Sequence, residues 1–239
     1  DFCKAYPERL KGVAMINVDN VAVGVEELKR AAKLGLVGAM IPLRPMELRY
    51  NHPEYEDLWA TAQELNIPLS LHTGTVRWRP ETDFLQEMEN DPLIQTNAET
   101  LARDSIADMI FSGVFERYPK LRVGAIEFEV SWAPYFIRRM DNVYQERTAG
   151  LKGNRFQGGS MPSDFFRENI FISFQEDDLG IQLRYHIGVD NLMWASDYPH
   201  AESTFPKSRE IVDTILSGIP ENEKLQIAGG NAAKLYGFR

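Results

Sequence analysis

The sequence predicts an α/β protein built around a parallel sheet. Six short and largely apolar segments recur along the 239 residues, and each is followed by residues whose apolar members have helical spacing. Strands that are apolar on both faces and alternate with helices are typical of a parallel sheet covered by helices. Two architectures fit this pattern, an open doubly wound sheet and most of a (β/α)8 barrel.

The predicted strands are apolar runs of strand length bounded by turn residues or charged residues. In chain order they are LKGVAMINV (10–18), LVGAMIPL (36–43), IPLSLHTG (67–74), LRVGAIEFE (121–129), NIFISF (169–174) and NLMWAS (191–196). We expect all six to be buried.

The predicted helices follow these strands and are recognised by apolar residues on one face and by their end signals. They cover 21–35, 53–66, 98–116, 131–147 and 178–187, and two helical segments close the chain, the last capped by Asn231. A polar stretch at 75–97 is long for a simple connection, so we expect a lid or binding loop there. A second long loop, at 150–162, is rich in glycine.

Motifs and composition exclude several classes of function. The sequence has no GxGxxG or GxxxxGK[ST] phosphate loop and no GxSxG nucleophile elbow. A formal net charge of -9 argues against nucleic acid and against anionic membranes as partners. Cys3 is the only cysteine, which excludes a disulfide framework and favours a reducing, cytoplasmic location. Because the chain begins with Asp1, we expect processing or truncation of a longer protein.

Polar residues end three of the predicted strands. Counting side chains by alternation places His72, Glu127 and Asp197 on faces that also carry small residues, as in a barrel interior. Each residue alone is more commonly structural, as a hydrogen-bonded histidine, a turn-forming aspartate or a solvated glutamate. Three coincident strand ends instead predict a site at the carboxyl rim of a barrel. Imidazole and carboxylates around one point are the ligands of a divalent metal that activates water.

Two further residues are predicted to contact a substrate. His200 lies three residues after Asp197, where it can support the metal site or bind the substrate. Arg44 follows the second strand and can pair with a substrate carboxylate.

Several segments together resemble one family. PLSLHTGT, IEFEVSWAPYFIRRMD, WASDYPHAESTFPKS and GGNAAKLYG are similar to the amidohydrolase-related branch of the amidohydrolase superfamily, the branch that contains aminocarboxymuconate-semialdehyde decarboxylase. YPERLKGVA and RAAKLGLVGAMI extend the resemblance over the whole chain, and SDYPH is its most specific part. The resemblance implies a distorted (β/α)8 barrel with a metal. It also implies that Asp197 is the metal ligand ending the eighth strand and His72 the one ending the fifth.

The sequence departs from this family in two ways. Its six strands correspond to the third to eighth strands of the barrel, so a single domain at 1–239 is expected to lack the first strands and the His-x-His ligand pair. In addition, the family's decarboxylases carry a proton-handling histidine after the sixth strand, and here Glu127 is nearest to that position. Glutamate suits a general base toward metal-bound water, so Glu127 favours hydrolysis.

The sequence therefore predicts a metal-dependent hydrolase of a small carboxylated or cyclic molecule. His72, Asp197 and Glu127 are the predicted metal ligands, Asp197 and Glu127 the catalytic residues, and Arg44 and His200 the substrate contacts. Zinc is the expected metal, with manganese as the alternative, and we expect a homo-oligomer. Two other functions stay open, non-oxidative decarboxylation on the same scaffold and a non-catalytic barrel remnant that binds a ligand.

Overall fold

A computed structural model describes residues 1–45, 47–75, 91–147 and 156–238. Its strands form one sheet in which every neighbouring pair is parallel and the spatial order follows the chain order. They are β1 (Val13–Met15), β2 (Gly38–Ile41), β3 (Leu69–His72), β4 (Val123–Ile126), β5 (Ile170–Phe174) and β6 (Leu192–Trp194). A doubly wound sheet reverses its strand order midway, whereas a barrel keeps the sequential order seen here. The barrel prediction is confirmed, with six strands among the described residues.

Helices connect and cover these strands. They are α1 (Val21–Lys33), α2 (Glu56–Glu64), α3 (Pro92–Thr96), α4 (Glu99–Phe111), α5 (Val114–Arg117), α6 (Ala133–Arg147), α7 (Pro162–Asn169), α8 (Asp178–Gln182), α9 (Arg184–Ile187), α10 (Ser208–Ile215), α11 (Glu221–Leu225) and α12 (Asn231–Tyr236). Within the described ranges, none of these helices combines the length and the apolar composition that crossing a bilayer requires.

Two predicted helices are each divided in the structure. The segment predicted at 98–116 ends as α4 at Phe111 and begins again as α5, because Gly113 between them has a left-handed backbone with φ 75. The segment predicted at 178–187 forms the short helices α8 and α9.

Asn231 has a different role from the predicted helix cap. It lies inside the helical run, and its Nδ2 donates to the carbonyl oxygens of Val189 and Leu192, each at 2.7 Å. These hydrogen bonds fix α12 to the start of β6.

The two long loops are only partly described. In the stretch 75–97, residues 92–96 form α3, and 76–90 lie outside the described residues, so the lid or binding loop remains a prediction. Residues 148–155 lie outside them as well, which leaves most of the predicted Gly-rich loop untested.

The first strand differs from the expectation of a buried strand. Ala14 is buried, but Val13 is 42% exposed and Met15 is 70% exposed. Met15 is in register with Met40, and Met40 with Ser70, so these side chains share the sheet face that carries His72. This interior face is uncovered at β1 because, in the described part of the chain, no strand pairs with the outer edge of β1.

The two faces of the sheet differ in how they are filled. The opposite face is fully buried in the three central strands, at Leu69, Leu71, Val123, Ala125, Ile170 and Ile172. On the interior face, Gly124 makes room for the ring of Phe171, since a Cβ at Gly124 would lie 2.2 Å from Phe171 Cε2. Phe171 in turn packs against Tyr236 of α12 at a centroid distance of 6.5 Å. These aromatic rings fill the interior and leave the carboxyl ends of the strands for polar residues.

Candidate metal centre

His72 is the last residue of β3 and is held by the turn that follows it. The amide of Gly74 donates to His72 Nδ1 at 3.2 Å, so the ring proton lies on Nε2. Nε2 faces the carboxylate of Glu127, with 3.1 Å between Nε2 and Oε2. His72 thus points into the interior, as predicted, and its Nε2 contacts the carboxylate of a second predicted site residue.

Glu127 reaches the interior by a route that alternation does not predict. The register pairs His72 with Ile126, so regular alternation would direct Glu127 to the opposite face. The predicted interior position of Glu127 is thus right, but the alternation behind it was wrong, because Val123 and Ala125 lie on the opposite face. Glu127 instead adopts a left-handed backbone with φ 70, directly after β4 ends, and its carboxylate accepts from Thr73 Oγ1 at 2.6 Å.

Asp197 follows β6 and also has a left-handed backbone, with φ 55. Its side chain is 24% exposed, and its Oδ2 lies 3.7 Å from Nδ1 of His200. Burial raises the pKa of Asp197 above its ordinary value, and the Glu127 carboxylate raises it further, whereas His200 and His72 act in the opposite direction. The site therefore places two carboxyl groups close enough to disfavour two negative charges.

Left-handed backbones at Glu127 and Asp197 are informative in themselves. For a residue with a Cβ this conformation costs about 1–2 kcal/mol, and it persists only where the surrounding structure imposes it. Such strained residues concentrate in functional sites. Here the strain turns both carboxylates into the same space.

Three of the predicted residues come together at the carboxyl rim. Ligand atoms of Glu127, Asp197 and His200 lie within 4.8 Å of one another. This trio shares Glu127 and Asp197 with the predicted ligand set and adds His200. His72 contacts Glu127, and its role as a ligand stays a prediction. Two carboxylate oxygens and one imidazole nitrogen suit a divalent cation, and a cation would offset the repulsion between the carboxylates. The residues present fit such a metal.

Arg44 lies beside an acidic residue of α4 in the structure. Its side chain is 44% exposed, and its Nη1 is 3.7 Å from Asp104 Oδ2 on α4. Its predicted role as a substrate contact stays a prediction.

Sequence reasoning missed the groups that hold the site in place. Thr73 donates to Glu127, and Ser173 Oγ accepts from the Glu127 amide at 3.2 Å. Glu129 and Asp177 accept hydrogen bonds from backbone amides of the neighbouring loops. The available signal was position, since all four lie at or just after the carboxyl end of a strand.

The sequence is similar to those of a known protein family. The family model described as Amidohydrolase matches residues 1–238. The chain belongs to the amidohydrolase family. Among its relatives is gamma-resorcylate decarboxylase of Rhodococcus jostii, which is 24% identical over 258 residues, with 98% of this chain and 72% of the relative covered.

Solved structures of this family share the fold. The 5-carboxyvanillate decarboxylase of Sphingomonas paucimobilis has a TM-score of 0.80 at 24% identity, over 100% of this chain and 70% of that chain. A dihydroxybenzoic acid decarboxylase of Polaromonas sp., solved with bound manganese and the inhibitor 2-nitroresorcinol, has a TM-score of 0.77 at 23% identity, over 98% of this chain and 71% of that chain. The chain is thus an enzyme of the amidohydrolase superfamily whose relatives include decarboxylases.

Proposed function

We propose that this chain is a metal-dependent, non-oxidative decarboxylase of a small hydroxylated aromatic carboxylate. The observation that carries the proposal is the trio of Glu127, Asp197 and His200 at the rim of the barrel-type sheet. The activities named for the relatives support decarboxylation rather than the hydrolysis that the sequence favoured. The preference for hydrolysis depended on Glu127 alone, and its contact with His72 and its hydrogen bond from Thr73 support a different role for it, as an anchored ligand.

We assign the metal to Glu127, Asp197 and His200, with His72 orienting Glu127. A divalent cation bound there would supply Lewis acidity to the carboxylate and the adjacent hydroxyl group of the substrate. Two carboxylate ligands favour manganese over zinc, which prefers nitrogen and sulfur ligands, and manganese is bound in the Polaromonas relative.

The protein's own groups perform the proton transfer and hold the substrate. Asp197 delivers a proton to the ring carbon that carries the carboxylate. The bond between that carbon and the carboxylate then breaks, its electron pair restores the aromatic ring, and CO2 leaves. Asp197 remains as a carboxylate and takes a new proton from solvent. Arg44, which is half-exposed, is proposed to turn from Asp104 to the substrate carboxylate.

The test is turnover of aromatic acids by the manganese-loaded protein. We would incubate it with 2,6-dihydroxybenzoate and 5-carboxyvanillate and follow CO2 release, with the variant D197N as the inactive reference. The matched control is D178N, which removes the same charge from an exposed residue of α8. Release of CO2 by the wild type and by D178N, but not by D197N, is the expected result.

Other outcomes would contradict the proposal. Hydrolysis of lactones or amides by the same preparation, without CO2 release from the aromatic acids, would indicate that the protein is a hydrolase. A protein that binds manganese and the aromatic acids but converts neither class would indicate a non-catalytic binding module.

A further inference from the structure

Asp177 is a buried carboxylate outside the metal cluster that binds three backbone amides. Its Oδ2 accepts from the amides of Val130 at 2.8 Å and Ser131 at 2.6 Å. Its Oδ1 accepts from the amide of Gly180 at 2.7 Å, which caps α8. One side chain after β5 therefore holds the loop after β4, a few residues beyond the strained Glu127.

The loop after β4 holds the loop after β5 in return. Glu129 has a left-handed backbone with φ 51, and its carboxylate accepts from the amides of Gln175 at 3.2 Å and Glu176 at 3.3 Å. Gln175 Nε2 then donates to the carbonyl of Glu202 at 3.0 Å, in the loop that carries His200. We name these mutual hydrogen bonds of Asp177 and Glu129 the carboxylate clamp.

The contact between the start of α8 and the loop after β4 is tightly packed at Gly180. A Cβ at position 180 would lie 2.4 Å from Val130 Cγ2 and 2.8 Å from Asp177 Oδ2. Only glycine lets α8 approach the loop closely enough for Asp177 to reach both sets of amides.

We propose that Asp177 is a positioning residue for the metal centre. By fixing the amides of Val130 and Ser131, it holds the chain after β4 in the path that turns the Glu127 carboxylate toward Asp197. It touches neither metal nor substrate and acts through Glu127. The proposal rests on the assignment of Glu127 as a ligand in the proposed function.

The test compares D177N with D178N in the full chain. Asparagine keeps one acceptor oxygen but replaces the other with an NH2 group, which cannot accept the amides it would face. D178N removes the same charge from the next residue, which is exposed and outside the clamp. The readouts are Mn2+ affinity of the metal-free protein by calorimetry, amide hydrogen exchange of peptides covering 127–132, and the unfolding temperature.

We expect D177N to weaken Mn2+ binding by about tenfold or more, the range typical of groups that orient metal ligands. Exchange at 127–132 should rise at temperatures where the protein stays folded, and D178N should match the wild type in both readouts. G180A, which disturbs the same contact without changing any charge, should reproduce both effects.

Wild-type Mn2+ affinity and exchange in D177N would overturn the proposal. So would a loss of affinity that merely follows the unfolded fraction, which would make Asp177 a stabilising residue only. The exchange readout needs neither metal nor substrate. An enzyme that binds Mn2+ in a manner dependent on Asp177 but releases no CO2 would therefore refute the proposed function while leaving this inference intact.

Discussion

Replacing Asp197 with asparagine should move stability and activity in opposite directions. The change is nearly isosteric, and asparagine tolerates the left-handed backbone at φ 55. It also removes one of two carboxylates whose oxygens lie within 4.8 Å of each other. Like charges at that distance repel by about 1 kcal/mol even at the dielectric constant of water.

In metal-free protein, D197N should therefore raise the free energy of unfolding by about 1 kcal/mol, which corresponds to ~2–4 °C in Tm for a chain of this size. With saturating Mn2+ the order should reverse, because the wild type gains binding energy that the variant lacks. Turnover of the aromatic acid should fall by at least about 100-fold, as expected for loss of a proton-transfer group.

Scanning calorimetry with EDTA and with Mn2+, followed by turnover assays at saturating metal, measures all three effects. D178N is the control and should change none of them by more than about 0.5 kcal/mol, as for other exposed substitutions. Near-native turnover of D197N at saturating Mn2+ would refute the role of Asp197. A large fall in the Tm of the metal-free variant would show instead that Asp197 is needed for folding.

Three further substitutions test the remaining features. E127Q should lower turnover by about 100-fold. Bound metal should be lost if Glu127 is a ligand and retained if it is a base. Unchanged turnover and metal content would make Glu127 structural. G124A should lower the free energy of unfolding by about 1–3 kcal/mol in chemical denaturation, because its Cβ would lie 2.2 Å from Phe171. The control G229A, whose Cβ would have open space around it, should have a far smaller effect. Equal effects of the two variants would contradict a tight contact between Gly124 and Phe171. The open edge at β1 should make residues 1–239 self-associate. M15K should reduce this association, as measured by light scattering. A monomeric wild type would argue against an exposed apolar edge.

The order and type of the elements were largely predictable from the sequence. Apolar runs bounded by turn residues predicted all six strands, because a strand buried on both faces is apolar throughout its length. The helix boundaries were less accurate. The break at Gly113 depends on a left-handed backbone that apolar spacing does not reveal.

The candidate site was predicted in composition but not in geometry. His72, Glu127 and Asp197 were predicted to converge because the carboxyl ends of parallel strands meet at one rim. Alternation nevertheless grouped Glu127 with Val123 and Ala125, which lie on the opposite face, since the rule applies only while the strand continues and β4 ends at Ile126. The contact of Glu127 with His72 arises from the turn after the strand.

Strand length and polarity are local properties of the chain, so they suffice to predict which residues reach the rim. The direction in which those residues face depends instead on contacts between distant parts of the chain. Glu127 points inward because its backbone is held at φ 70 by groups from other strands, among them Ser173, and Asp177 anchors the loop beyond it. Those partners are more than 40 positions away in sequence, with separations of 46 for Ser173 from Glu127 and 47 for Asp177 from Val130. Hydrogen bonds between such distant residues form only when the sheet brings β4 and β5 together, so no local pattern could have predicted them.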